Sequence, residues 1–424
     1  MSTEVLTPQV VGEGSPNGEL TPAALTAIVE QALAVITPGE RVLAIIPDKT
    51  RDDNTDQLFP TAERILREQA VKSFDLLVAQ GTHPPMSDEQ KLSKIGLNSF
   101  SGSLFDHRWD LPDDLITLGE LSAERVSKLT RGLIGDPVSV SLNKLLAPGV
   151  YDTVLIFGAT VPHEVAGFAG GAKYFFPGVA GPELTHMTHW LGALAGIETI
   201  IGQVETPTRH MIEAAADLVP ARIISLNTVV SRNDDNRLVT YALFAGDVKE
   251  AFRRAAEVSR QVHIRYTGRK YKRVVALLDP HYDELWVGGK ASYKLGAIIE
   301  DAGELIIFAP HLTKISETHG ALIEKYGYAP LEVVRDMLGA SQELRENLCI
   351  AAHLAHVSYA GRMNDEGKFV SRYHITMATG LDREICERVN LGYMDQSQFD
   401  LNSYRSDPNT LVVENAGRDL YQVE

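Results

Sequence analysis

Two cysteines, Cys349 and Cys386, in 424 residues are too few for a disulfide framework, and they lack the paired spacing of a zinc site. A reducing compartment follows from that scarcity. No apolar run reaches the roughly 18 residues that a membrane-spanning helix needs. The opening stretch Met1–Gly18 is polar with scattered valines and has no basic region of the signal-peptide kind. The expectation is a soluble, cytoplasmic chain without a membrane partner. Positive charge is also short: 40 Lys and Arg face 56 Asp and Glu, a formal net charge of −16. Affinity for nucleic acid comes largely from cations that neutralise phosphates, so a nucleic-acid partner is excluded. No internal repeat or low-complexity segment is present. Neither the phosphate-loop pattern Gly-x-x-x-x-Gly-Lys-Ser/Thr nor the dinucleotide fingerprint Gly-x-Gly-x-x-Gly occurs, and there is no His-Glu-x-x-His.

What is present is ordinary globular material, 44% hydrophobic and 23% charged, in a length that suits two domains. Thr21-Pro22 opens a helix, with Thr as N-cap and Pro at the first helical position. Leu25, Ile28, Val29, Leu33 and Ile36 then recur at helical spacing until Pro38-Gly39. Val42–Ile46, Phe74–Ala79 and Thr153–Phe157 are short apolar runs of the kind buried on both faces of a parallel sheet. A helix from about Gln57 to Val71 separates the first two, and a charged amphipathic helix covers Asp247–Val262. The basic run His263–Arg273 is the best linker, or alternatively a phosphate-binding patch. Val274–Leu278 and Leu305–Phe308 then restart the strand-and-helix alternation. The pattern predicts two α/β domains with mostly parallel, Rossmann-like sheets, residues 1–265 and 266–424, and an active site in the interdomain cleft.

In open α/β sheets ligands bind beyond the carboxyl ends of the strands. Three such ends carry reactive groups: Asp48-Lys49-Thr50-Arg51, Gly81-Thr82-His83 and Pro162-His163-Glu164. Each alone has a plain structural explanation. Asp48 can cap the next helix, Arg51 can pair with it, and a lone loop histidine is more often satisfied locally than catalytic. Their common position at strand ends points instead to one crevice. Between His163 and Gly181 the chain carries Gly167, Gly170, Gly171, Gly178 and Gly181 around Lys173. Such a segment lets backbone approach a ligand and offers amides to an anion, or else serves as a close crossing of packed elements. His186 and His189, three apart, follow on one helix face.

Pro162-His163, Gly167-Phe168-x-Gly170-Gly171-x-Lys173, Pro177-Gly178 and His189, preceded by Asp48-x-x-Arg51 and Gly81-Thr82-His83, resemble the lactate racemase family. The resemblance implies a nickel-pincer nucleotide cofactor, a pyridinium mononucleotide with two sulfur-bearing arms and a nickel ion. It would be covalently joined to Lys173 through a thioamide, with Asp48, Gly170 and Gly171 beside it and His189 on the nickel. His83 and His163 match the two acid–base histidines, and Arg51 the carboxylate clamp. The implied reaction inverts C2 of a 2-hydroxy acid by proton-coupled hydride transfer through a planar 2-keto acid. Asp48 would orient Arg51 or touch the cofactor.

Lys294, with Tyr293, resembles the second-domain substrate lysine. Lactate-specific members carry glutamine three residues before that lysine, whereas this chain has Ala291. That departure favours malate or another larger 2-hydroxy acid over lactate, in a pocket that Tyr293, His311 and Lys314 could line. A sugar-acid 2-epimerase with the same cofactor is the alternative. From another class, a zinc-dependent hydrolase would use His163, His186 and His189 as ligands and Glu164 as base. A non-catalytic sensor would keep the scaffold without turnover. Partners implied are a small-molecule 2-hydroxy acid and separate cofactor-maturation enzymes; a homo-oligomer is left open.

Overall fold

The computed structural model describes residues 8–233 and 235–424. Residues 1–7, part of the opening stretch considered above as a leader, lie outside them. The chain divides into two compact units, one of residues 1–188 and 204–262, the other of residues 189–203 and 263–424.

The first unit is built on seven strands: β1 Val11–Gly14, β2 Arg41–Pro47, β3 Ser73–Ala79, β4 Leu104–Asp106, β5 Thr153–Ala159, β6 Arg222–Arg232 and β7 Leu238–Gly246. Their order across the sheet is β1-β7-β6-β5-β2-β3-β4. The five from β6 to β4 run parallel, and β7 and β1 are added antiparallel at one edge. Val42 to Ile46 are wholly buried because helices cover both faces of the sheet, which is why the run shows no alternation. The helix Pro22–Leu33 begins where expected, with Thr21 Oγ1 accepting from the Ala24 amide at 3.2 Å.

The second unit holds five parallel strands, β8 Tyr271–Leu278, β9 Ile299–Ala309, β10 His374–Thr379, β11 Gly392–Tyr393 and β12 Thr410–Ala416. Their order is β11-β10-β9-β8-β12. Both units are therefore α/β with mostly parallel sheets, as the apolar runs predicted.

Two expectations need correction. The basic run His263–Arg273 is not a free linker. Ile264–Tyr266 pairs with Leu420–Gln422, and buried Ile264 anchors it in the second unit's core. The expected boundary at residue 265 also misses an excursion. The segment His189–Gln203 groups with the second unit because Ala193, Ile197 and Ile201 are buried in its core. His189 thus lies in the second unit, and the division falls inside the helix Pro182–Ala195.

Candidate active site

Strands β5, β2 and β3 are neighbours, so the three reactive ends suggested by the sequence are adjacent. Ile45 is level with both Ile156 and Leu77, which puts Asp48, Gln80 and Thr160 at one rim of the sheet. Asp48 is buried, and its carboxylate is divided between two tasks. One oxygen accepts from the Thr50 amide at 2.9 Å and the Thr50 hydroxyl at 2.6 Å. The other accepts from His83 Nδ1 at 2.6 Å. Asp48 therefore orients His83, and Arg51 contributes only its charge nearby. Burial would raise the Asp48 carboxyl, but the His83 hydrogen bond and the charges of His83 and Arg51 outweigh it and hold the carboxyl below its ordinary range. With Nδ1–H committed to a carboxylate, the neutral His83 ring carries its free lone pair on Nε2.

His163 has the opposite arrangement. Its Nδ1 accepts from the Val165 amide at 3.1 Å, so the neutral ring carries its proton on Nε2. Glu164 Oε2 lies 3.4 Å from the same Nδ1. The two histidines are thus held in complementary tautomers, His83 by the carboxylate of the neighbouring strand end and His163 by its own loop.

Lys173 sits on a short 3-10 turn, Gly171–Tyr174, after the glycine pair. Burial lowers its amine to about 7, helped by the charges of Arg51 and Arg209 and opposed by Glu164. Gly170 has φ +98°, and a Cβ there would stand 2.4 Å from Thr160 Oγ1. Only glycine takes that place without strain. The Gly171 amide donates to Asn227 Oδ1 at 2.8 Å. Arg209, wholly buried, donates to the carbonyls of Phe168 at 2.6 Å and Gly170 at 3.2 Å, with its guanidinium 3.8 Å over the Phe252 ring. Tyr174 lies against Gly158, where a Cβ would meet its ring at 2.1 Å. The Gly81 amide donates to the Gly178 carbonyl at 2.9 Å, joining the His83 loop to the end of the glycine segment.

Asp48, Arg51, His83, Gly170, Gly171 and Lys173 therefore share the rim of the first unit, with His163 on the loop after β5. Asn227, Arg209, Gln80 and Thr160 were not singled out from sequence. Asn227 could have been suspected as a polar residue inside the apolar run Arg222–Arg232, and Arg209 as a cation among Met211, Ile212 and Ala214. The unpaired, buried polar atoms of Gln80 and Thr160 have no sequence signal at all.

The remaining candidates lie in the second unit. Lys294 and Tyr293 are buried on the helix Lys290–Leu295 beside Ala291. Lys294 Nζ donates to the Arg418 carbonyl at 2.6 Å. The Tyr293 ring is 6.4 Å from His356. Lys314 pairs with Glu317 at 3.1 Å. His189 is half-buried and close enough to His353 to lower that histidine's affinity for a proton, after burial and the charges of His356 and His319. His186, by contrast, belongs to the first unit, edge-on to Trp109 at 6.2 Å, and burial lowers its pKa.

Residues 2–198 match the lactate racemase N-terminal domain family. The matched stretch, just under half of the chain, is similar to the N-terminal domain of lactate racemases. A structural-genomics crystal structure of a Thermotoga maritima protein is 31% identical, covers 97% of this chain and 100% of its own, and superposes with a TM-score of 0.86. The lactate racemase apoprotein from Thermoanaerobacterium thermosaccharolyticum shares the fold at 17% identity, covering 100% of this chain and 96% of its own, with a TM-score of 0.73. No curated protein matches the sequence. The match to this domain supports a racemase or epimerase, an isomerase. No helix among the described residues is long and apolar enough to cross a membrane.

Proposed function

We propose that this chain inverts C2 of a 2-hydroxy acid with a nickel-pincer nucleotide attached to Lys173. The observation that carries the reading is the amine of Lys173, brought to about 7 within a glycine turn beside Arg51 and the Asp48–His83 pair. An amine that is half uncharged near neutrality can form a bond to an acyl-type carbon, which an ordinary lysine resists. The surroundings fit a polar group bound over the turn. Thr160 Oγ1 and both amide atoms of Gln80 are buried without a hydrogen-bond partner among the described residues. Buried polar atoms left so are costly unless a ligand or water satisfies them.

When bound, the cofactor supplies an acceptor for hydride from the substrate carbon. The chain does the rest. Arg51 offers a planar fork to the substrate carboxylate. His83, with a free Nε2 lone pair, takes the hydroxyl proton of one enantiomer. His163, with its proton on Nε2, donates to the oxygen on the other side. The roles exchange when the other enantiomer is bound, which is why two imidazoles are needed. His189 is the proposed nickel ligand, and Tyr293 and Lys294 are proposed substrate contacts. Ala291 in place of a glutamine favours malate or another larger 2-hydroxy acid, with a sugar-acid 2-epimerase as the alternative. The zinc-hydrolase reading loses support, because no group of three or more His, Cys, Asp or Glu among the described residues could hold a metal ion.

The test is intact mass and nickel content of protein co-expressed with the maturation enzymes, beside Lys173→Ala. A nucleotide-sized adduct with nickel, absent from the variant, is expected. An unmodified mass under conditions that mature a known family member would overturn the reading. A racemisation screen over 2-hydroxy acids and sugar acids then fixes the substrate.

A further inference from the structure

The second unit contains a cavity of about 740 Å³ that none of the proposed active-site residues lines. It opens at the amino-terminal edge of the sheet, where β8 begins near Lys272 and Arg273 and β10 begins at His374. The antiparallel ribbon Gly361–Met363 with Phe369–Ser371 contributes Arg362, and its turn contributes Asn364. Substrate chemistry in such sheets gathers at the opposite, carboxyl ends of the strands.

The lining is strongly biased in charge. The chain as a whole carries −16, yet this cavity gathers Lys272, Arg273 and Arg362 against a single acid, Glu304. Glu304 is already committed, accepting from Arg273 Nε at 2.8 Å and from the Thr376 hydroxyl at 2.9 Å. Lys272 and Arg362 form no ion pair among the described residues. Arg362 Nε is buried without a hydrogen-bond partner. The side-chain oxygen of Asn364 accepts from the amides of Glu366 and Lys368, which leaves its amide nitrogen free to donate. A guanidinium, an ammonium and an amide donor around one concave space suit an anion with several oxygens. The volume lies in the range of about 300–1,000 Å³ usual for small-molecule sites and exceeds what a lone inorganic ion would fill.

We propose that this cavity binds a small organic dianion, a phosphate monoester or a dicarboxylate, held by Arg362 and Lys272. It would be a second ligand site on the chain, and it does not depend on the racemase reading. The run His263–Arg273 contributes only its last two residues to the site. Arg265 and Arg269 are engaged by Asp419 and by the Pro408 carbonyl.

Calorimetric titration of the full chain with ribose 5-phosphate and with succinate tests the proposal, beside Arg362→Ala and Lys272→Ala. Both variants change partly or fully exposed side chains, and their thermal midpoints report folding. At least one probe is expected to bind with Kd of about 1 mM or tighter, weakening about tenfold in each variant and with added salt. Binding of ribose 5-phosphate alone identifies an organic phosphate site, and binding of succinate alone a dicarboxylate site. No heat from either probe, or equal binding by wild type and both variants, would refute it.

Discussion

At the scale of single residues, the amine of Lys173 has the most direct consequence. Burial takes its pKa from 10.5 to about 7 in the folded chain. Between those values the unfolded chain holds a proton that the folded chain has released. Stability without cofactor should therefore rise with pH across that window. Urea midpoints at pH 7 and pH 9 should separate for wild type and converge for Lys173→Met. Under the same conditions a limiting dose of acylating reagent should modify Lys173 ahead of the exposed lysines, as peptide mapping would show. Asp48 acts in the same sense, at lower pH. Its folded value is lowered, so its contribution is present above the ordinary 3.8 and lost as pH falls below it. Asp48→Asn also removes the acceptor that sets the His83 tautomer. Racemisation by the matured enzyme should drop about 100-fold or more, with KM little changed. Retention of wild-type turnover would remove His83 from the chemistry.

At the scale of elements, the glycine turn is held from three sides. Thr160 stands at the end of β5, Asn227 belongs to β6, and Arg209 comes from the helix Pro207–Ala216. Gly170→Ala would force a Cβ onto Thr160 at a positive φ and should cost about 1–3 kcal/mol, measured by urea unfolding. Arg209→Met would leave the Phe168 and Gly170 carbonyls without their buried donor. A loss of about 3 kcal/mol is expected, because the partners of a buried charge remain desolvated. If Arg209→Met unfolds at the wild-type midpoint, the carbonyls have another partner and the guanidinium does not hold the turn.

At the scale of the whole molecule, the two units have separate hydrophobic cores, one containing Leu155 and Phe157 and the other Leu305 and Ile307. Unfolding of such a chain need not be two-state. Trp109 reports on the first unit, and Trp190 and Trp286 report on the second. Fluorescence of Trp109 alone, in a Trp190→Phe/Trp286→Phe variant, should follow a denaturant transition displaced from that of Trp286 alone. Coincident transitions would show that the units unfold together.

Local chemistry made much of this legible. Buried parallel strands must be apolar on both faces, so Val42–Ile46, Phe74–Ala79 and Thr153–Phe157 stand out from their surroundings. A strained turn demands glycine, so the Lys173 segment stands out as well. The antiparallel pair β6–β7 was not foreseen, although its own side chains are largely buried, because pairing partners are set by neighbours distant in sequence. The sequence by itself determined the α/β class, the reactive strand ends and the glycine turn, since each depends on residues close together in the chain. Only tertiary structure decided that Asp48 bonds His83 across two strands and that Arg209 and Asn227 secure the turn. It also decided that His189 joins the second unit. Those outcomes follow from which surfaces meet on folding, and burial and desolvation act on the assembled environment.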